Sequence, residues 1–344
     1  MSDPHTTSNP GKDRLPSSAS PSVSVVICTK DRPAELALCL DSLARQVVPP
    51  AEVIVVDASN IPAEREVAKF QDKIGRAYEA RLLPALPGLT RQRNIGVRAA
   101  SGSVILFIDD DTILGTTYIK EISAIYGQDT ALQIGGVGGA IIPGSAAHDR
   151  WLDRTFKRLF FLPSLGVGRI KPSGHPEFLF SPRRVANVEF LSGCNMSYRR
   201  EVFTSLEFDE RLVGYALGED IHFSYAVSRR WELLLTPYAT LEHRETGNGR
   251  PVSGKRVEMG VVNHLLFFRE QIATSPLHWI CYSWSLVGAL LMTLRHAGEG
   301  RLTSLLRAYV GVATTVFTPR SRNDSHAATD QQPSHPHRSR PPIA

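Results

Sequence analysis

From residue 23 to residue 126, short β-branched runs alternate with helix-period stretches, and this alternation limits the fold more than any other feature. Val23 to Ile27 is a nearly all-apolar run, as expected of a strand buried on both faces. Pro33 then opens a helical pattern, with Leu36, Leu40 and Leu43 at four- and three-residue spacing. Val53 to Val56 repeats the strand pattern and ends at Asp57, and Arg81 to Leu83 is a shorter candidate strand. Thr90 to Ala100 reads as a helix with Thr90 as N-cap and Gly102 past its end. Val104 to Ile108 is the next strand, and Thr116 to Tyr126 the next helix. Such alternation implies parallel strands joined by right-handed crossovers, in a sheet that binds ligands at the carboxyl ends of its strands.

Carboxylates stand at two of those ends: Asp57, and the run Asp109, Asp110 and Asp111. Like charges held close together repel, and each loses hydration. A hard cation such as Mg²⁺ or Mn²⁺ offsets both costs. Magnesium dehydrates reluctantly and commonly shares one or two carboxylates with substrate phosphates, so the cluster points to phosphate chemistry. A solvated acidic turn, with Asp111 capping the next helix, is the other reading of the same residues.

The second half is less regular. A glycine-rich stretch surrounds a candidate strand at Val137 to Ile142, and residues 145–186 read as loops and short helices. Val188 to Tyr198 is an apolar cluster, followed by a short helix at Arg199 to Ser205 and a longer one at Gly218 to Arg230. Leu233 to Leu235 is again strand-like. From Ile272 to Leu294 there is no Asp, Glu, Lys or Arg, about the length that crosses a bilayer. Trp279 and Trp284 in it suit a membrane interface. A second apolar stretch, Leu302 to Phe317, contains Arg307. The alternative to membrane contact is a pair of buried helices packed on the preceding domain. The expected organisation is a disordered tail over 1–22, an α/β domain over 23–250, a helical and membrane-associated segment over 251–318, and a disordered tail over 319–344.

The net charge of +5 suits anionic partners such as a nucleotide diphosphate or an acidic membrane surface. No basic helix or aromatic-rich signature marks a nucleic-acid binder. The four cysteines show no C-x-x-C spacing, which fits reduced, cytosolic usage. Residues 1–22 are rich in Ser, Pro and Thr and do not read as a signal peptide.

Six segments then occur in order: VSVVICTKDRP, VIVVDAS, GLTRQRNIG, LFIDDD, FLSGCNMSYRREVF, and GED before a helix. Together they resemble the inverting family 2 glycosyltransferases with the GT-A (Rossmann-like) fold, over about residues 22 to 245. The resemblance implies a mixed, mostly parallel sheet flanked by helices, here followed by the C-terminal apolar helical segment. It implies that Thr29, Asp31, Arg32 and Asp57 hold the base and ribose of a nucleoside diphosphate sugar. Asp31 equally reads as a turn or cap residue before Pro33, and Asp57 as an Asx-turn residue. Arg91, Arg93 and Asn94 lie on the first turns of a helix, where backbone N–H groups and guanidinium both favour phosphate; simple exposure is the alternative for either arginine. Asp109 and Asp111 match the ends of the family's D-x-D; one or both would contact Mg²⁺ or Mn²⁺, Asp111 most directly, with Asp110 toward the ribose or the sheet. His243 resembles the downstream histidine that completes the metal site in some members. Asp220 matches the general base, with Glu219 orienting acceptor or base, although acidic residues at helix starts are ordinary. Gly193, Cys194 and Asn195 match the segment lining the donor-sugar and acceptor side. Trp151 and Trp231 fit either sugar stacking or core packing.

The function expected is transfer of a sugar to a hydroxyl of a glycan or lipid-linked acceptor, in cell-envelope or polysaccharide synthesis. The expected location is the cytoplasmic side of the membrane, peripheral or singly anchored, or otherwise the cytoplasm. Two alternatives remain open. A sugar-phosphate nucleotidyltransferase would show a glycine-rich basic loop after the first strand, where this chain has CTKDRP. A non-catalytic sugar-nucleotide-binding protein would not need Asp109, Asp111 and Asp220 together.

Overall fold

The computed structural model describes residues 21–142, 151–244 and 253–296, with residues 307 and 309. Four strands, β1 (Val23–Thr29), β2 (Glu52–Asp57), β3 (Glu79–Pro84) and β4 (Val104–Asp109), pair in parallel in the spatial order β3-β2-β1-β4. The crossovers are α1 (Pro33–Leu43), α2 (Glu64–Ile74) and α3 (Leu89–Ala99). Successive side chains of a strand face opposite ways, and here both faces are covered. Val25, Ile27, Val53 and Leu106 pack with Leu36, Leu40 and Phe70 on one face. Val26, Ile54, Ile105 and Phe107 pack with Phe208 and Phe223 on the other. That is why the strands are continuous apolar runs rather than alternating ones. Gly96 lets α3 sit flush on β1, since a Cβ there would lie 2.3 Å from Val26 Cγ1.

Beyond β4 the sheet becomes mixed. β10 (Asn195–Arg199) runs antiparallel between β4 and β6 (Ile134–Ile142). β6 runs parallel to β11 (Glu232–His243), and β9 (Ala186–Val188) and β5 (Thr112–Leu114) pair antiparallel with β11. The mixed, mostly parallel sheet flanked by helices that the resemblance implied is the sheet observed. β11 runs well past Leu235 because its ladder is interrupted between Leu235 and Thr240, around Pro237, and then resumes. Proline donates nothing to a ladder, so the local pattern stops where the strand does not.

Several elements differ from expectation. α2 buries only Val67 and Phe70, too sparse a pattern to read from the sequence. α3 starts one residue earlier than expected, with Gly88 at its cap; the Thr90 hydroxyl donates instead to the Leu212 carbonyl at 3.2 Å. The helix expected from Thr116 begins at Tyr118, as α4 (Tyr118–Gln128). Within the loop-like region lie α5 (Trp151–Leu159) and a small sheet of β7 (Ser164–Leu165) and β8 (Glu177–Phe178).

A buried carboxylate pins the amino ends of the parallel strands. Glu52 accepts from the Ser24 hydroxyl at 2.7 Å and from the Ser101 N–H and hydroxyl, each at 2.6 Å, and also from Arg81. Burial opposes its ionisation, but these hydrogen bonds outweigh that and bring its pKa down to about 2. The charged form therefore stabilises the fold fully above the ordinary value of 4.5, and the contribution fades as pH falls toward 2. Glu52→Gln should cost about 2 kcal/mol at neutral pH, less than the whole shift because Arg81 is partly solvated. In denaturant titrations the gap from wild type should shrink below pH 4.5; a gap independent of pH would refute this account.

The chain then forms α6 (Glu219–Ser228), α7 (Ser253–Phe267), a π-helical turn (Phe268–Ile272) and α8 (Pro276–His296). Leu265, Phe268, Ile272 and Tyr282 form a third apolar cluster that also touches Ile221 and Tyr225 of α6. α8 is long and apolar enough to cross a membrane by length and composition, and 22% of that window is buried. One side packs inward through Cys281, Tyr282 and Ser285. The other exposes Leu277, Ile280, Val287, Leu291 and Leu294. Neither complete burial nor a helix apart from the domain describes it. The N-terminal tail up to residue 20, the tail from 319 and the Leu302–Phe317 stretch lie outside the described residues, apart from 307 and 309.

Candidate functional site

The carboxyl ends of β1, β2 and β4 meet at one edge, with Thr29 opposite Asp57 and Cys28 opposite Asp109. Two loops clasp each other there. The Asp31 N–H donates to Ser59 Oγ at 2.7 Å, and the Asn60 N–H donates to Asp31 Oδ1 at 3.0 Å. Asp31 holds a left-handed φ of 54°, so its backbone turns sharply before α1. Asp57 accepts from the Ser59 and Ala63 N–H groups, each at 2.8 Å. Both carboxylates thus shape the loops, the turn-forming role their positions allowed. Gln92, not singled out in the sequence, donates to the Thr29 and Val56 carbonyls at 3.0 and 2.9 Å and ties β1 to β2.

The three consecutive aspartates have three environments. Asp110 turns inward, accepting from Thr29 Oγ1 at 2.7 Å and pairing with Arg32 at 2.8 Å. Burial raises its pKa to about 7, against the pull of Arg32. Asp111 pairs with Arg32 at 2.7 Å and with His243 Nε2 at 3.1 Å. Burial opposes its charge, but His243 and Arg32 outweigh it and hold the carboxyl well below the usual range. Arg32, expected at the nucleotide, is therefore a counter-ion for two of the three aspartates. Asp109 opens partly to the cleft; Arg93 and His243 stand 3.8 Å away, longer than a hydrogen bond. Loss of hydration raises its pKa, opposed by those two cations. His243 reaches this place because β5 and β11 pair His243 with Thr112, the residue after Asp111. Burial opposes charging His243, yet Asp111, Cys194 and Asp109 push its pKa up to about 11.

The α3 residues diverge. Arg93 is buried, contacts Glu219, donates to the Gly193 carbonyl at 3.1 Å, and lies 5.4 Å above the Phe208 ring. Arg91 and Asn94, three residues apart and so on one helix face, both reach Glu210. Asn94 is spent on the Phe208 backbone, donating at 2.9 Å and accepting at 3.0 Å, which turns it away from the phosphate role expected of it. Half-exposed Arg91 stays at the rim.

Opposite stands the start of α6. Asp220 accepts from the Gly193 N–H at 2.9 Å. Burial raises the Glu219 pKa to about 7, with Arg93 pulling the other way. Gly193 is wedged between these groups: a Cβ would come 2.9 Å from Arg93 Nη2 and 3.0 Å from Glu219 Oε1. Asn195 turns into the sheet, accepting from Tyr118 and from the Gly139 N–H, rather than lining the cleft. Trp231 packs against Gly135 and the core, and Trp151 is exposed on α5.

The donor atoms that converge belong to Asp109, Cys194 and His243, all within 4.8 Å of one another. Carboxylate and imidazole, with Asp111 beside them, suit a divalent cation such as Mn²⁺. Contacts link Thr29, Arg32, Asp109, Asp110, Asp111, His243, Arg93, Glu219, Gly193 and Asp220 into one network. Asp31 and Asp57 instead bind the backbone of the loop after β2, and Asn94 and Asn195 turn to other partners.

The family model described as glycosyl transferase family 2 matches residues 24–206. An N-acetylglucosaminyltransferase of Rhizobium sp. (strain N33) is 28% identical over 162 residues, 46% of this chain and 35% of that protein. An uncharacterized glycosyltransferase, EpsJ, of Bacillus subtilis (strain 168) is 26% identical over 216 residues, 62% of this chain and 57% of that protein. The matches therefore span between a third and three-fifths of these relatives' lengths. Among solved structures, the mannosyltransferase PcManGT from Pyrobaculum calidifontis, in complex with GDP-Man and Mn²⁺, superposes with a TM-score of 0.51 at 15% identity, covering 88% of this chain and 82% of its own. GalNAc-T7, with UDP, GalNAc and Mn²⁺, gives a TM-score of 0.51 at 16% identity, covering 78% of this chain and 55% of its own.

Proposed function

The chain belongs to glycosyl transferase family 2 and has the GT-A fold, and on this footing we propose that it is an inverting enzyme moving a sugar from a nucleoside diphosphate donor to a hydroxyl acceptor. One observation carries the reading: Asp220 accepts from the N–H of Gly193, the residue before Cys194 of the Asp109–Cys194–His243 group, and its charge reaches Asp109. Asp220 takes the acceptor proton as that oxygen attacks the anomeric carbon. The new C–O bond forms on the face opposite the departing diphosphate, so configuration inverts. The Gly193 N–H orients the base, and Arg93 holds Glu219 and the Gly193 turn in place. The loops carrying Thr29, Asp31 and Asp57 would line the nucleoside, with Arg32 acting there as the counter-ion of Asp110 and Asp111. Bound between Asp109 and His243, Mg²⁺ or Mn²⁺ would supply charge stabilisation for the leaving diphosphate.

The test is a panel of UDP-, GDP- and dTDP-sugars with an alcohol acceptor, read as nucleoside diphosphate release and as product anomer by NMR. Release that needs added cation, with an inverted product, supports the reading. Pyrophosphate release, or donor binding without turnover, would overturn it.

The acceptor reading is a glycan or lipid-linked hydroxyl at the cytoplasmic face of a membrane, in envelope or polysaccharide synthesis. It is supported by the outer side of α8, where Leu277, Ile280 and Leu294 are 64%, 65% and 57% exposed. Trp151, Leu152 and Leu159 of α5 are also exposed, and α5 carries Arg154, Lys157 and Arg158. Apolar side chains framed by cations suit a helix lying in an anionic interface. Ile280→Glu with Leu291→Glu should weaken binding to phosphatidylserine-containing vesicles about tenfold or more, since each apolar side chain contributes roughly 1.5–3 kcal/mol when buried. Unchanged cosedimentation would remove the membrane from the proposal.

A further inference from the structure

Cys194 is buried but belongs to none of the three apolar clusters of the fold. Free cysteines in cores usually act as small apolar side chains. This one faces polar groups instead: Ser192 Oγ at 3.4 Å, and a His243 ring nitrogen within 4.8 Å. A tight turn, in which the Asn195 N–H donates to the Ser192 carbonyl at 2.8 Å, fixes the thiol at the mouth of β10. The sulfur, an Asp109 oxygen and a His243 nitrogen lie within 4.8 Å of one another. Ligands about 2.0–2.3 Å from one ion stand roughly 3–4.5 Å apart, so a single cation can reach all three with little rearrangement. They come from three separate elements, the ends of β4 and β11 and the turn before β10.

We propose that Cys194 is a direct ligand of the divalent cation in this cleft, completing a sulfur, nitrogen and oxygen set with His243 and Asp109. The inference rests on the reading that the cleft takes a cation at all. Its consequence is selectivity. A purely oxygen site favours Mg²⁺ and Mn²⁺, whereas a thiolate disfavours Mg²⁺ and admits borderline ions such as Co²⁺ and Zn²⁺. The thiol loses its proton to solvent as the metal–sulfur bond forms, and His243 must likewise release the proton it carries. Asp111 then acts beside the site, steering the His243 ring.

The experiment titrates Co²⁺ into the full chain, into Cys194→Ser and into Asp109→Asn, followed by absorption and calorimetry, with thermal melts as the folding control. Wild type should show a sulfur-to-cobalt charge-transfer band in the near ultraviolet. Cys194→Ser should lose that band, and its preference for Co²⁺ over Mg²⁺ should fall about tenfold or more, at least what the loss of an indirect partner costs. Co²⁺ binding by wild type without the band, or the same band in Cys194→Ser, overturns Cys194 ligation and leaves the cation reading standing. Absence of Co²⁺ and Mg²⁺ binding by wild type, with or without donor nucleotide, overturns the cation reading itself.

Discussion

Asp220→Asn is expected to lower the turnover of sugar transfer by roughly 10²–10⁴-fold, the usual contribution of a positioned general base. Donor affinity and melting temperature should stay within error of wild type. The amide keeps the shape of the carboxylate, and its oxygen can still accept from the Gly193 N–H, so the turn at Gly193 should hold. What is lost is the ability to take a proton while the acceptor oxygen becomes nucleophilic. A loss confined to kcat, with donor Kd unchanged by calorimetry, is the signature of a group acting only in the transition state. A variant that transfers sugar at the wild-type rate would remove Asp220 from the mechanism and reopen the assignment of the base.

Arg93→Met should be the most damaging substitution for the fold. Its guanidinium is buried against Glu219, donates to the Gly193 carbonyl and covers the Phe208 ring. Removing one partner of a buried pair leaves the other uncompensated, at a cost of about 3–5 kcal/mol. For a chain of this size that corresponds to a fall in melting temperature on the order of 10 °C. The double variant Arg93→Met with Glu219→Gln should recover much of that loss, because no buried charge is then stranded. Strict additivity of the two changes would mean that the pair does not act as a unit. Transfer activity should stay low in the double variant, since the guanidinium also holds the Gly193 turn beside Asp220.

Much of the core was readable because it is local. Val23 to Ile27, Val53 to Val56 and Val104 to Ile108 carry the period of doubly covered strands, and α1 shows its buried leucines every three or four residues. Chain order then placed Asp57 and Asp109 at ligand-binding strand ends. α2 has no legible stripe because it buries only two residues, and the strand pattern of β11 stops at Leu235 because Pro237 interrupts the ladder without ending the strand.

Residue type and position along the chain singled out the candidate groups: the aspartates at the end of β4, Asp220 at a helix start, and His243 late in the chain's strand pattern. Only the tertiary structure decided how their charges are shared. Arg32 neutralises Asp110 and Asp111 from a loop far upstream, Asn94 is claimed by Phe208, and Cys194 comes to rest beside Asp109 and His243. The reason is physical. Strand and helix periods are written in neighbouring residues, whereas a buried charge or thiol takes its partner from whatever strand pairing brings near, and here those partners are distant in the chain.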